Sequence, residues 1–219
     1  MRRAPWLVSG LVVASLASSA GAAEKLVGVV GGGLFNSMPA LAASTIIDSP
    51  VFAQADNQRD FGGLGGVIFE VSWQTFGALR FEPKYMRKGT RIAARLLNGD
   101  EVRGDVKLDY LSLPILFKSV LFRKKPVHLV LVSGLSADYL MSGDFQGQDI
   151  KNAFESWDFT VTARVGFEVK AGEGGLFGVQ FNVASSLAGI DKSQPNQQKL
   201  KNTGLGFAVE YTTSVGGKR

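Results

Sequence analysis

Between Trp157 and Lys170 the chain alternates without a break. Trp157, Phe159, Val161, Ala163, Val165, Phe167 and Val169 take one set of positions, and Asp158, Thr160, Thr162, Arg164, Gly166, Glu168 and Lys170 the other. Successive side chains of a strand point to opposite faces, so this pattern predicts a strand with one apolar and one polar face. Phe177, Val179, Phe181 and Val183 against Gly178, Gln180, Asn182 and Ala184 repeat it, with a tight turn at Glu173-Gly174-Gly175 between the two. The same period sets Val67, Phe69, Val71 and Trp73 against Gly66, Ile68, Glu70 and Ser72, and Leu79, Phe81 and Tyr85 against Arg80, Glu82 and Lys84. It sets Leu111, Leu113, Ile115 and Phe117 against Tyr110, Ser112, Pro114 and Lys118, and Leu205, Phe207, Val209 and Tyr211 against Gly204, Gly206, Ala208 and Glu210. Two segments are less defined. Val127 to Met141 is apolar on both faces in its first half, which leaves its phase open. Lys25 to Phe35 carries Gly31-Gly32-Gly33, with no Lys-Ser/Thr and no helical pattern after it to make a phosphate loop.

Eight strands result, at 24–35, 61–73, 76–88, 105–120, 126–141, 157–171, 175–189 and 203–213. Each has the ~9–11 residues that a tilted strand needs to cross a bilayer. Short turns at Gln74-Thr75, near Leu121 to Lys125 and at Gly172 to Gly174 alternate with long connections over 36–60, 89–104, 142–156 and 190–202. This is the layout of an all-β fold, an eight-stranded antiparallel up-and-down transmembrane barrel with long loops outside the cell and short turns in the periplasm. Alternation alone does not say which face looks outward, and a soluble lipocalin-like barrel would reverse them around a ligand. Three features favour the membrane sense: apolar rows nearly free of polar atoms, aromatics near strand ends (Trp73, Tyr85, Trp157, Tyr211), and opposite faces that mix both signs of charge.

The amino terminus adds a compartment. Arg2 and Arg3, an apolar run from Trp6 through Leu16 and the small residues around Ala20-Gly21-Ala22 form a signal-peptide pattern, giving a leader at 1–22 and a barrel domain at 23–219. Export would place the barrel in the outer membrane of a Gram-negative bacterium. Losing Arg2 and Arg3 lowers the formal charge from +5 to +3, too mild a surplus to argue for nucleic acid. Without cysteine the fold has no disulfide to rely on.

Three stretches are similar to a known family. Arg80-Phe81-Glu82-Pro83-Lys84-Tyr85-Met86-Arg87-Lys88-Gly89 resembles the xEPxxxYxxKG strand of the PorT-like, porin-family outer-membrane barrels, with the tyrosine placed early. Leu108 to Lys118, with Ser112 where the family usually has an acid, resembles its YLEIPLLLK strand, and Ser133 to Leu140 its GPSLGYLL strand. The resemblance implies an eight-stranded outer-membrane barrel, and no catalytic residues. Family barrels commonly end on an aromatic residue read by the barrel-assembly machinery. Here Val209-Glu210-Tyr211 would serve internally, since Thr212 to Arg219 follow.

The candidate sites are electrostatic. On the inner faces Glu70, Arg80, Glu82, Lys84, Lys118, Arg164, Glu168, Lys170 and Glu210 are expected to meet and neutralise one another in a narrow lumen, which an eight-stranded barrel fills with side chains. In the long loops Lys88, Arg91, Arg95 and Arg103, then Lys192, Lys199 and Lys201, outnumber Asp100, Glu101 and Asp191. Of these, Arg91, Arg95, Lys199 and Lys201 are expected to meet phosphates of outer-membrane lipid, lipopolysaccharide above all. His128 is the sole histidine, and with no cysteine an ordinary zinc site is excluded. A Ser-His-Asp lipid hydrolase would have to use His128, and no G-x-S-x-G elbow accompanies it. The expectation is a structural or interaction barrel without cofactor or metal. The alternatives are a lipid-modifying barrel enzyme and a soluble lipocalin-like binder.

Overall fold

The computed structural model describes residues 23–38, 52–73, 77–96, 101–122, 125–190 and 201–215. The leader pattern at 1–22 and much of the expected loops at 36–60 and 190–202 lie outside these residues. The strands are β1 (Glu24–Ser37), β2 (Phe52–Trp73), β3 (Gly77–Phe81), β4 (Lys84–Leu96), β5 (Glu101–Leu121), β6 (Val127–Phe145), β7 (Gln148–Asp149), β8 (Trp157–Lys170), β9 (Gly175–Ser186) and β10 (Thr203–Ser214), with a 3-10 turn at Lys151–Ala153. All pairings are antiparallel, and β1 pairs with both β2 and β10, so the sheet closes on itself. β3 and β4 together form one wall of the barrel, making eight spans in all.

That third span breaks at Glu82-Pro83 because proline has no N–H to give a ladder. The freed groups find partners sideways: Val67 N–H donates to the Pro83 carbonyl at 3.1 Å, and Glu82 N–H to the Pro114 carbonyl at 3.3 Å. Alternation survives the break, so Arg80, Glu82 and Lys84 all face inward and are buried. At the short-turn end, Gly172 and Gly174 take φ of +72° and +77° in the β8–β9 hairpin, where side chains are disfavoured.

The outward rows are those expected. Val161, Val165, Phe167, Val179, Phe181, Ile115 and Phe207 are exposed, and Thr160, Arg164, Glu168, Gln180 and Asn182 beside them are buried. Aromatics cluster toward both rims. Tyr139 and Trp157 lie 5.1 Å apart and Phe35 and Phe61 5.2 Å apart toward the long-loop end, while Tyr211 pairs with Phe177 near the short turns. The open phase of β6 resolves as Val130 and Val132 inward, Leu131 and Leu135 outward. In β1, Val30 and Leu34 face in and Val29 and Phe35 face out.

β2, β4, β5 and β6 outrun the expected spans. β2, β5 and β6 have 22, 21 and 19 residues, about twice what a bilayer crossing needs. The segment 89–104, expected as a loop, is therefore largely strand, with Arg91 paired to Asp105 and Thr90 to Val106. In this extension the sense of the alternation reverses. Along β5, Leu111, Ile115 and Phe117 point out below, whereas Val106 and Leu108 point in above and Arg103, Asp105, Lys107 and Asp109 point out. The reversal marks where lipid gives way to water: apolar side chains seek lipid on one side of that level and the core on the other.

Candidate functional site

The lumen has four zones. One wall, from β10 through β1 and β2 to β4, is apolar and packs Val30, Leu34, Leu64, Ile68, Met86 and Ala208 together. Toward the short-turn end is the ion cluster, drawn from β2, β3, β4, β5, β8 and β10. The Arg80 guanidinium is fully buried. Its Nε and Nη2 donate to Glu70 Oε2 at 2.9 and 2.6 Å, and its Nη1 and Nη2 to the Glu210 carboxylate. Arg164 grips Glu82 with two nitrogens at 2.9 and 2.8 Å, and Lys84 reaches Glu82 Oε1 at 2.8 Å. Lys118 bridges Glu70 and Glu168, and Gln180 donates to Glu210 at 2.8 Å. Four cations thus face four carboxylates. A buried ion pair needs partners for its remaining lone pairs and protons, and this cluster supplies most of them by sharing, with Arg164 Nε and the Gln180 carbonyl oxygen left without a hydrogen bond.

Of the nine residues expected in the lumen, the structure brings eight together. Lys170 is the exception and is exposed. It shares the inward parity of β8, but the strand ends there, beside the Gly172–Gly174 turn, so its side chain clears the rim.

Above this cluster lies a second one that sequence reasoning missed. Lys88, placed by the sequence in a loop, sits on β4 inside the barrel and is buried. Its ammonium meets Asp138 Oδ2 at 2.7 Å, Asp158 Oδ2 at 2.8 Å and Thr160 Oγ1 at 3.2 Å, over the Tyr110 ring at 4.7 Å. Ser112 donates to Asp138 Oδ1 at 2.6 Å. Ser186 Oγ and Asn202 Nδ2 donate to Asp158 Oδ2 at 2.8 and 3.3 Å. The available signal was the inward parity that Lys88 shares with Lys84 and Met86.

An apolar cap closes the long-loop end. Met38, Ile92, Val106, Leu108, Tyr110, Leu140, Phe154 and Ile190 form one buried cluster, with Phe145 and Ile150 against it. Phe154 and Ile190 come from connecting segments that fold inward. Glu155 N–H donates to the Ile190 carbonyl at 2.7 Å and Leu140 N–H to the Ser156 carbonyl at 2.9 Å, fastening both segments to the wall.

The expected lipid-phosphate residues do not gather in one place. Arg91 is on β4, its Nε 3.0 Å from Asp105 and Nη2 3.6 Å from Asp60. The hydrogen bond to Asp105, then the charges of Asp105 and Asp60, raise its pKa above the ordinary arginine value. Lys201 is exposed just before β10. The side chain of Arg95, and Lys199 as a whole, lie outside the described residues. Arg91, Arg103, Gly104, Asp105, Lys107, Asp144, Gln146 and Gly147 line an open cleft of about 500 Å³ on the outside of the strand extensions. Nearer the membrane, Arg87 Nε and the Tyr85 hydroxyl both donate to Asp109 Oδ1, at 2.7 and 2.6 Å. His128 faces the lumen near the short turns, buried, its Nε2 without a hydrogen-bond partner among the described residues.

This architecture is that of an outer-membrane barrel, and the comparisons agree. The family model described as outer membrane protein beta-barrel domain matches residues 27–192, and the chain belongs to that family. Neisserial surface protein A (NspA) is similar in structure, with a TM-score of 0.52 and 14% identity over 86% of this chain and 97% of that one. OprG from Pseudomonas aeruginosa is likewise similar, with a TM-score of 0.55 and 11% identity over 89% and 97%. At such identities the likeness concerns the fold. No curated protein matches the chain in sequence.

Proposed function

We propose that this protein is a non-conducting outer-membrane scaffold of the PorT-like kind that acts through its outer surface, in a structural or interaction role. One observation carries this reading: the lumen is filled along its length, by two ion clusters and then by the apolar cap. A solute would have to break buried ion pairs and displace packed apolar side chains to pass, each a cost of several kcal/mol. What remains accessible is the outer face, where charged side chains stand above the aromatic rim. Export by the leader at 1–22, insertion by the barrel-assembly machinery and exposure of the strand extensions outside a Gram-negative cell complete the proposal. The test is conductance of the purified barrel in planar bilayers. The expected trace is flat at moderate voltage; discrete, reproducible openings would overturn the reading.

Within this reading the outer surface holds the phosphates of outer-leaflet lipid, chiefly lipopolysaccharide. Arg91 supports it. The side chain is 48% exposed, where solvent and salt screen an ion pair, so Arg91 can exchange Asp105 for a phosphate at little cost. Arg95, Lys199 and Lys201 are the other cations assigned to this contact. Replacing all four with glutamine should reduce lipopolysaccharide co-purification, and unchanged co-purification would refute the assignment.

A further inference from the structure

Above the membrane, β6 parts from β5. Their pairing ends at Val106 and Phe145, and past that point this edge of β5 meets no further strand among the described residues. A notch opens there, with the β6–β7 hairpin as its far wall. It is the open cleft of about 500 Å³ on the outer face. The hairpin is fixed in place. Gln146 takes φ of +52°, a left-handed backbone that residues other than glycine seldom adopt, and Gly147 follows at +83°. Gln146 Nε2 donates to the Arg103 carbonyl at 2.7 Å. The Phe145 ring comes within 2.5 Å of where a Cβ on residue 104 would stand, so Gly104 lets the hairpin pack against β5.

The notch mixes both signs of charge. Arg91, Arg103 and Lys107 line it together with Asp105 and Asp144. The Asp105 hydrogen bond and the charges of Asp105 and Asp60 pull the Arg91 pKa upward, and Arg103 is close enough for its charge to oppose them. Two like charges side by side are eased by an anion between them, and guanidinium groups hold phosphate through paired hydrogen bonds. Arg91 has capacity for this. Its Nε meets Asp105 at 3.0 Å, but its Nη2 stands 3.6 Å from Asp60, beyond hydrogen-bond range. A bare phosphate would be repelled by Asp105 and by Asp144, which lies opposite Lys107 in register. A sugar hydroxyl would not, because a carboxylate accepts its hydrogen and the Gln146 amide can both donate and accept.

Height above the membrane points the same way. The rows change sense near Asp109, where Arg87 and Tyr85 meet that carboxylate at the water boundary. Asp105 lies four positions further along β5. A strand rising ~3.4 Å per residue at a tilt of ~40° carries it about 10 Å beyond that boundary. Phosphates of a lipid anchor lie at the boundary itself, and sugars borne on the lipid stand above it. We propose that the notch binds one phosphorylated sugar, with Arg91 and Arg103 on the phosphate and Asp144 and Gln146 on the hydroxyls. The inference rests on the lipopolysaccharide reading and sharpens it, since the group held is a core-sugar phosphate rather than a phosphate of the lipid anchor. A free sugar phosphate offers the same chemistry.

The folded, full-length protein in zwitterionic detergent micelles supplies the test, with binding measured by calorimetry at fixed ionic strength. The probes are glucose 6-phosphate and two lipopolysaccharides that both keep their lipid phosphates, one with a phosphorylated core and one from cells that do not phosphorylate it. The phosphorylated core should bind about tenfold tighter, the worth of one charge-assisted hydrogen-bonded contact. Arg103→Gln should erase that difference and leave binding of the other lipopolysaccharide unchanged. Asp144→Asn should weaken binding of the phosphorylated core and of glucose 6-phosphate, whereas a site for bare phosphate would bind tighter on losing an acid. Both side chains stand on the outer face, and unchanged heat-modifiable gel mobility would show that the variants fold. Equal wild-type affinity for the two lipopolysaccharides would overturn the core-sugar assignment, and the lipid-phosphate reading would then stand or fall on its own four-residue variant. Binding of glucose 6-phosphate with no binding of either lipopolysaccharide would refute the lipid reading and assign the notch to a soluble sugar phosphate. Tighter binding in Asp144→Asn would overturn the sugar.

Discussion

Replacing Arg80 with methionine keeps much of the side-chain volume and removes the hub of the lower ion cluster. Arg80 makes four charge-assisted hydrogen bonds, two to Glu70 and two to Glu210, and comes within 3.8 Å of both Glu82 and Glu168. At ~1.5–3 kcal/mol each, the four bonds alone would suggest a loss larger than most single substitutions produce. The carboxylates are not orphaned, however. Glu70 keeps Lys118 at 3.2 Å and Glu210 keeps Gln180 at 2.8 Å. The loss should therefore fall near the lower end of the ~3–5 kcal/mol typical of breaking a buried ion pair. Glu210→Gln leaves the opposite imbalance and should cost a similar amount. The double variant restores three cations against three carboxylates, so its cost should be smaller than the sum of the singles by at least ~1 kcal/mol. Urea unfolding of the barrel in lipid vesicles, followed by tryptophan fluorescence, gives all three values. Additivity within ~0.5 kcal/mol would refute the cluster as an energetic unit.

Three further outcomes follow from the same geometry. Val161→Arg and Val179→Arg put a charge on the lipid face and should each cost ~2–4 kcal/mol in the same unfolding assay, and losses below ~1 kcal/mol would place those rows away from lipid. Phe154→Ala should cost ~3–5 kcal/mol if the cap is as tightly packed as its burial indicates, and should speed exchange of amide protons in residues 150–156; a wild-type exchange rate would contradict a packed cap. Trypsin added to intact cells should cut at Arg95, near the outer end of β4, or at Lys199 and spare Arg123 to Lys125, and cleavage that needs the outer membrane opened would reverse the orientation.

The membrane-spanning part of the barrel was legible because lipid imposes one rule on every strand: apolar side chains out. The rows of β8 and β9 could be read straight from the chain, and with them Arg164, Glu168 and Gln180 as inward groups. The extensions were not legible for the reason the structure supplies. Past Lys88 on β4 and Tyr110 on β5 the rule reverses, so Ile92, Val106 and Leu108 turn in and Arg91, Asp105 and Lys107 turn out. A search for outward apolar rows loses the strand there and calls it a loop, and Lys88 went with it. Asp138 and Asp158 were hidden differently. Each had been placed on a strand, but only the stagger between strands brings β4, β6 and β8 to one level, and alternation within a single strand carries no information about stagger. Lys170 failed in the opposite sense, since its parity was right and the strand simply stopped.

The ion cluster also bears on how such a chain enters a membrane. Arg80 on β3 takes Glu210 on β10 as a partner, 130 residues away, and Arg164 takes Glu82 across 82 residues. The β2–β4 hairpin carries a balanced set, Arg80 and Lys84 against Glu70 and Glu82, but the β9–β10 hairpin does not. Delivered alone into lipid, it would bring Glu210 with no cation on its own or its preceding strand. Such an intermediate would hold an unpaired charge where water is scarce. The last strand must therefore face Arg80 on β3 while the inner face is still wet, and the barrel must close as it goes in rather than after. In this chain the interior charges act as a timing constraint, making closure and insertion a single cooperative event.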